Sequence, residues 1–186
     1  MNMKSPPKTK TPRTRRPYKK AGVRPMSWQV VGIDPQEPTT RRLGIDHRPR
    51  IIFVMKGAVA LKWNRSVDRT IRQGEMMVIP AGRTLTLKAL DVSRVVTCLL
   101  DMEPCCCTLC DADYMVRLLS GPGGLGVVPF GEMIDNMLEL LLLYIDEGIS
   151  EPKLYEIKRS ELLFLLYVQV KKITGYETKP CLRLRG

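Results

Sequence analysis

Histidine is nearly missing from this 186-residue chain, with His47 its single example. A catalytic iron, manganese or zinc centre needs about three converging nitrogen or carboxylate side chains, so nitrogen donors for one are scarce. Aromatic side chains make up only 6% of the residues, and the basic first 25 residues hold a single one, Tyr18, too little stacking surface for single-strand recognition by that segment. The longest unbroken apolar runs, Leu140 to Ile145 and Leu162 to Val168, fall well below the roughly 18 to 20 residues that cross a bilayer as a helix. Neither can span alone, and no membrane association is expected. The first 25 residues contain no acidic side chain and lack the apolar core of roughly 7 to 15 residues that a secretory signal needs.

What those 25 residues do contain is nine basic side chains and five prolines. They hold nearly all of the net charge of +11, because the rest of the chain carries 21 basic against 19 acidic residues. With Tyr18 as its lone aromatic, the segment cannot bury enough apolar surface to offset ordering entropy, and disorder is expected over 1–25. It is read either as a solvated extension or as a counterion-releasing arm that binds DNA, RNA or acidic lipid without sequence preference. The remainder, with an overall hydrophobic content of 44%, is sized for one domain spanning 26–172, followed by a short tail over 173–186.

Gly74, Pro80 and Gly82 punctuate the stretch GEMMVIPAGRTLTLKA and bound a short apolar strand from Met76 to Ile79. Around it lie further strand-length runs: Trp28 to Val31 as an edge strand, Ile51 to Met55, Ala58 to Trp63, Val67 to Arg72, Thr84 to Leu87 and Val92 to Asp101. Lys56-Gly57 reads as a hairpin and Asn64-Arg65-Ser66 as the next turn, while Gly32 to Pro49 reads as irregular. Short strands at this spacing argue for a sandwich or barrel.

The spacing of Gly74, Pro80 and Gly82 resembles the second motif of the cupin superfamily, G-x5-P-x-G-x2-H-x3-N. The structural residues are kept and the chemical ones are not, since Leu85 stands at the histidine position and Ala89 at the asparagine position. Counting back from Gly57 as the last glycine of the first motif, the glutamate position is Arg50. The two histidine positions fall on Gly44 and Asp46, or on Leu43 and Ile45, with His47 out of register. No metal, cofactor or catalytic residue is therefore expected, and the barrel is read as a binding module and not an enzyme.

Beyond residue 101 the pattern changes to helices. Gly121-Pro122-Gly123-Gly124 reads as a break. Over 132–147, Met133, Met137, Leu140, Leu141 and Tyr144 return at intervals of three and four, and Leu138, Leu142 and Ile145 widen the stripe. Gly148 ends this helix, Ser150 is a candidate N-cap, and Pro152 opens a second helix over 152–172. Leu162 to Val168 is apolar all round, as expected of a helix buried in the parent domain or against a partner. The fold class expected is α+β: a small antiparallel β-barrel of cupin or jelly-roll type followed by an antiparallel two-helix hairpin.

That order, with IIFVMKGAVAL, GEMMVIPAG, Cys110-Asp111 and YEIKRSELLFLLYVQV, resembles the N-terminal sensing and dimerisation domain of AraC-type transcriptional regulators, in their Bacteroides-like branch. The resemblance covers residues 51–172. It implies a cytoplasmic regulator that senses a small-molecule effector in its barrel and forms a homodimer, or a heterodimer with related regulators, through its helices. Leu141, Tyr144, Ile145, Leu154, Ile157, Phe164 and Leu165 are the residues expected at that interface. Arg50 and Arg94, as forks for a carboxylate or phosphate, and Trp63, as a stacking face, are the candidate ligand-binding residues. After Lys172 the given sequence is too short for the two helices and turn of a DNA-reading unit, which take about 20 residues. The module is therefore expected to lack its own DNA-reading domain, with DNA held only non-specifically by the basic tail.

Cys105, Cys106, Cys107 and Cys110 show C-x2-C and C-x3-C spacings. Adjacent cysteines cannot all face one metal, so core or helix-edge thiols are expected ahead of a zinc or redox site.

Overall fold

The computed structural model describes residues 28–35, 40–63, 69–100, 119 and 126–175. The basic segment 1–25, the turn at Asn64-Arg65-Ser66, the cysteine cluster 105–110, the Gly121 to Gly124 break and the tail after residue 175 lie outside the described residues.

Nine strands and two helices follow one another in the described chain: β1 (Trp28–Ile33), β2 (Arg41–Leu43), β3 (Arg50–Lys56), β4 (Ala58–Trp63), β5 (Arg69–Arg72), β6 (Glu75–Ile79), β7 (Leu85–Ala89), β8 (Ser93–Leu99), β9 (Val128–Pro129), α1 (Glu132–Asp146) and α2 (Pro152–Thr174). One sheet has the order β1-β8-β3-β6-β9 and the other β2-β7-β4-β5, and every pairing is antiparallel. Strands β1 to β8, dealt between two sheets in this order, make a jelly roll, the cupin-like barrel, with β9 added at the edge of the first sheet, and the two helices make the class α+β.

Alternation along the strands builds three layers. In β3, Ile52 and Val54 face the second sheet and join Val31, Leu43, Val59, Leu61, Ile71, Met77, Leu85 and Val95 in the barrel core. Ile51, Phe53 and Met55 face the other way and meet the helices through Ile134, Met137, Leu138, Leu141, Leu162 and Leu166. A strand buried on both faces reads as a continuous apolar run, which is what IIFVM is. Phe53 and Phe130 meet edge to face at 5.6 Å between ring centroids, and Gln169 Nε2 donates to the Pro129 carbonyl at 3.2 Å, joining α2 to the last strand.

Three expectations change. Lys56-Gly57 is not a hairpin but a corner, because β3 and β4 belong to different sheets; a single linking residue, Gly57 at φ 74°, turns the chain from one sheet to the other. The segment read as irregular contains β2, whose polar Arg41-Arg42 gave no apolar signal. The second helix is capped by Glu151, whose side chain accepts from Lys153 N–H at 3.4 Å, rather than by Ser150. Gly148 does close α1: its N–H reaches Ile145 O and the Ile149 N–H reaches Tyr144 O, the paired bonds of a Schellman end.

Candidate functional site

Strand direction gathers the chemistry at one end of the barrel. The register Leu43↔Leu85 and Trp63↔Leu85 sets these three residues in a row across one sheet. The register Arg50↔Ile79 and Arg50↔Leu99 sets a second row across the other. Leu43, Ile79, Leu85 and Leu99 are buried, and among the described residues of these two rows Arg50 is the charged one.

Arg50 is half-buried, and its Nη1 donates to Thr97 Oγ1 at 3.4 Å. Thr97 is itself 1% exposed; it lies two residues along β8 from the partner of Arg50, and hence on the same face. Burial pulls the Arg50 pKa below its ordinary value, with the charge of Asp46 opposing that shift. Beside it Arg48 grips Asp46 with two side-chain bonds, Nε to Oδ1 at 3.0 Å and Nη2 to Oδ2 at 3.2 Å. That grip lowers the Asp46 carboxyl to about 2. The loop carrying this pair is fixed to the barrel rim by Gly82 N–H on Asp46 O at 2.8 Å and by Leu100 N–H on Pro49 O at 2.9 Å. The Pro80-Ala81-Gly82 turn thus holds the loop that frames the site.

At the positions that the two motifs give to metal ligands, Leu43 and Leu85 face each other, Arg50 is cationic, and Ile45 points into solvent. Asp46 is engaged by Arg48, and His47 is exposed 3.5 Å from the same carboxylate. Among the described residues no three His, Cys, Asp or Glu side chains come together as a metal site. The donor set at this barrel end does not fit a metal.

Arg50 and Trp63 therefore stand at the same end, by register, while Arg94 does not join them. It pairs with Gly32 and Lys56 at the opposite end and faces the helices, where its Nη2 contacts both oxygens of Asp146 at 2.9 and 3.0 Å. Its role is a strut between β8 and the end of α1. Thr97 was missed from sequence because a threonine in VVTCLL looks like one more strand residue; only the fold sets it diagonal to Arg50.

The interface residues also divide. Leu141 and Leu165 are buried in the core between helices and sheet and cannot face a partner. Ile145 packs against that core, and Tyr144 and Leu154 are half-buried. Ile157 and Phe164 are exposed at 62% and 43%, and so are Met133, Leu140 and Leu143 on α1. Of the seven expected residues Ile157 and Phe164 lie on the outward face, and on α1 that face is made by Met133, Leu140 and Leu143. Cys98 is completely buried, and burial pushes its thiol pKa strongly upward, leaving it inert. Among the described residues no helix is long and apolar enough to cross a membrane.

No family model matches the sequence, and no curated protein matches it. Solved structures do. A conserved protein of unknown function from Streptococcus pyogenes is 15% identical over 41% of this chain and 64% of its own, with a TM-score of 0.35. A duf861 family protein from Thermotoga maritima is 15% identical over 39% and 78%, at 0.32. The Clostridium difficile EutQ protein is 16% identical over 41% and 56%, at 0.34. The chain spans less than two thirds of the first and last of these. The cupin-like assignment rests on the strand order of this chain, which is a jelly roll by its own topology.

Proposed function

We propose that this chain is a non-enzymatic, intracellular sensing and pairing module of the kind found in AraC-type transcriptional regulators. The observation that carries the reading is the barrel end, where Leu43, Leu85 and Arg50 occupy the positions of metal ligands. Such a site can bind an organic molecule by burial and one charge-assisted contact. Its described residues include no paired acid and base and no activated nucleophile of the kind that turnover requires.

The pairing half of the reading is supported by the exposed apolar side chains on both helices, Leu140 and Leu143 on α1 and Ile157 and Phe164 on α2. They project from the layer that covers the sheet, so occupation of the barrel and the packing of the helices meet across β3, β6 and β8. The basic residues of 1–25 add a sequence-independent hold on DNA. Multi-angle light scattering at tens of micromolar tests the proposal, with a dimer expected. A monomer that persists at that concentration would overturn the pairing module.

A further inference from the structure

We propose that the barrel end selects a small monocarboxylate with an apolar body, the carboxylate on the Arg50 guanidinium beside Thr97, an inference that rests on the ligand-binding reading of the barrel. A guanidinium has five N–H donors in a planar fork. Arg50 directs one of them to Thr97 at a long 3.4 Å and makes no ion pair among the described residues. A half-buried cation without a carboxylate partner is costly, and its lowered pKa reflects that cost. A bidentate carboxylate is the group whose geometry and charge offset it.

The neighbouring charges decide between anions. Arg48 and Asp46 are paired to each other at 3.0 and 3.2 Å, which leaves the single positive charge of Arg50 uncompensated among the described residues of the site. One negative charge matches it. A phosphate dianion would bring a second negative charge that no further described cation is free to meet, since Arg48 is already engaged by Asp46, and amines would meet Arg50. Leu43, Ile79, Leu85 and Leu99 lie in the same register rows and are buried, so a ligand body reaching past the fork would enter hydrocarbon surroundings and would itself be hydrocarbon or aromatic. Sugars and polyols would bury hydroxyls with too few partners there.

Isothermal titration calorimetry on the full chain tests this with hexanoate, hexanamide and inorganic phosphate, the first two sharing one body and differing in charge. Hexanoate is expected to bind and hexanamide and phosphate are not. Arg50→Gln should weaken hexanoate at least tenfold, Arg50→Lys should weaken it less because the charge is kept without the fork, and Arg94→Gln should leave it unchanged. Urea midpoints of the variants report whether each still folds, and Thr97→Val gives a second route to the same site. Equal binding of hexanoate and hexanamide would overturn the inference while leaving the barrel as a binding site for neutral ligands. Phosphate competing with hexanoate, hexanoate binding that Arg50→Gln does not change, or no binding of hexanoate at all would each overturn it too.

Discussion

The indole Nε1 of Trp28 donates to the backbone carbonyl of Tyr155 at 3.2 Å, across 127 positions of sequence. This bond ties the first strand to the first turns of α2. Tyr155 in turn donates its hydroxyl to the Ile149 carbonyl and so anchors the loop between the helices. The chain's first and last described elements are therefore joined through one buried polar contact inside an otherwise apolar layer.

Trp28→Phe keeps an aromatic ring in that layer and removes the donor. Loss of one buried hydrogen bond costs about 1 kcal/mol, and the smaller ring leaves a gap that raises the total to about 2 to 3 kcal/mol. Urea unfolding followed by circular dichroism should show the midpoint fall with the slope unchanged. An unaltered midpoint would mean that the helices are held without this bond.

Gly57 and Gly74 offer a matched comparison. Both have positive φ, 74° and 80°, but a Cβ at Gly57 would run into the Val92 carbonyl and lie 2.6 Å from Ser93 Oγ, whereas one at Gly74 meets nothing. Ser93 Oγ is also the group that takes Ala58 N–H at 3.1 Å and so holds the corner. Gly74→Ala should cost about 1 to 2 kcal/mol, the backbone strain alone. Gly57→Ala should cost clearly more, about 3 kcal/mol or above, since the collision is with backbone. Equal losses would show that the corner relaxes.

How far the sequence could be read follows from the same elements. Strands β3, β4 and β6 were legible because each is an apolar run with glycine or proline at its ends. Which sheet each joins was not, since a glycine corner and a hairpin turn use the same residues; Gly57 differs from a hairpin only in what stands behind it. On the helices, periodicity revealed that α1 has an apolar stripe. With Leu at 138, 140, 141, 142 and 143 that stripe is too wide to tell inward from outward, and Leu141 and Leu143 differ by burial alone. At the site, Arg50 was visible as a cation in a motif position, while its pairing with Thr97 depends on strand register. The Asp46–Arg48 clasp was invisible for a different reason: its purpose is set by Gly82 on a distant turn.

That clasp predicts an acid response. The folded Asp46 carboxyl titrates at about 2 against an ordinary 3.8, chiefly because of the Arg48 side-chain bonds. A depressed carboxylate contributes stability that is complete above its unfolded value and is lost as pH falls through the folded one. The difference between wild type and Asp46→Asn should therefore be constant above about pH 5 and shrink progressively between about pH 5 and 1. Urea midpoints across that range check it; a difference that does not narrow would show that the clasp adds nothing to folding.

The outward faces of the helices separate core from interface by the same kind of contrast. Leu143 is 53% exposed and Phe164 43%, whereas Leu141, two residues before Leu143 and on the opposite side of α1, is fully buried. Leu141→Glu would place a carboxylate between helix and sheet and should unfold the protein, an effect of several kcal/mol. Leu143→Glu and Phe164→Glu cost little in a monomer, because both side chains already meet water. In a dimer paired through these faces, two-fold symmetry doubles each substitution, and unpaired buried carboxylates should raise the dissociation constant by at least about a hundredfold. Sedimentation velocity should then show monomers with wild-type unfolding midpoints. Should both variants sediment as wild type, the two chains would have to meet through some other surface, and the outward leucines and phenylalanine would be ordinary exposed apolar residues.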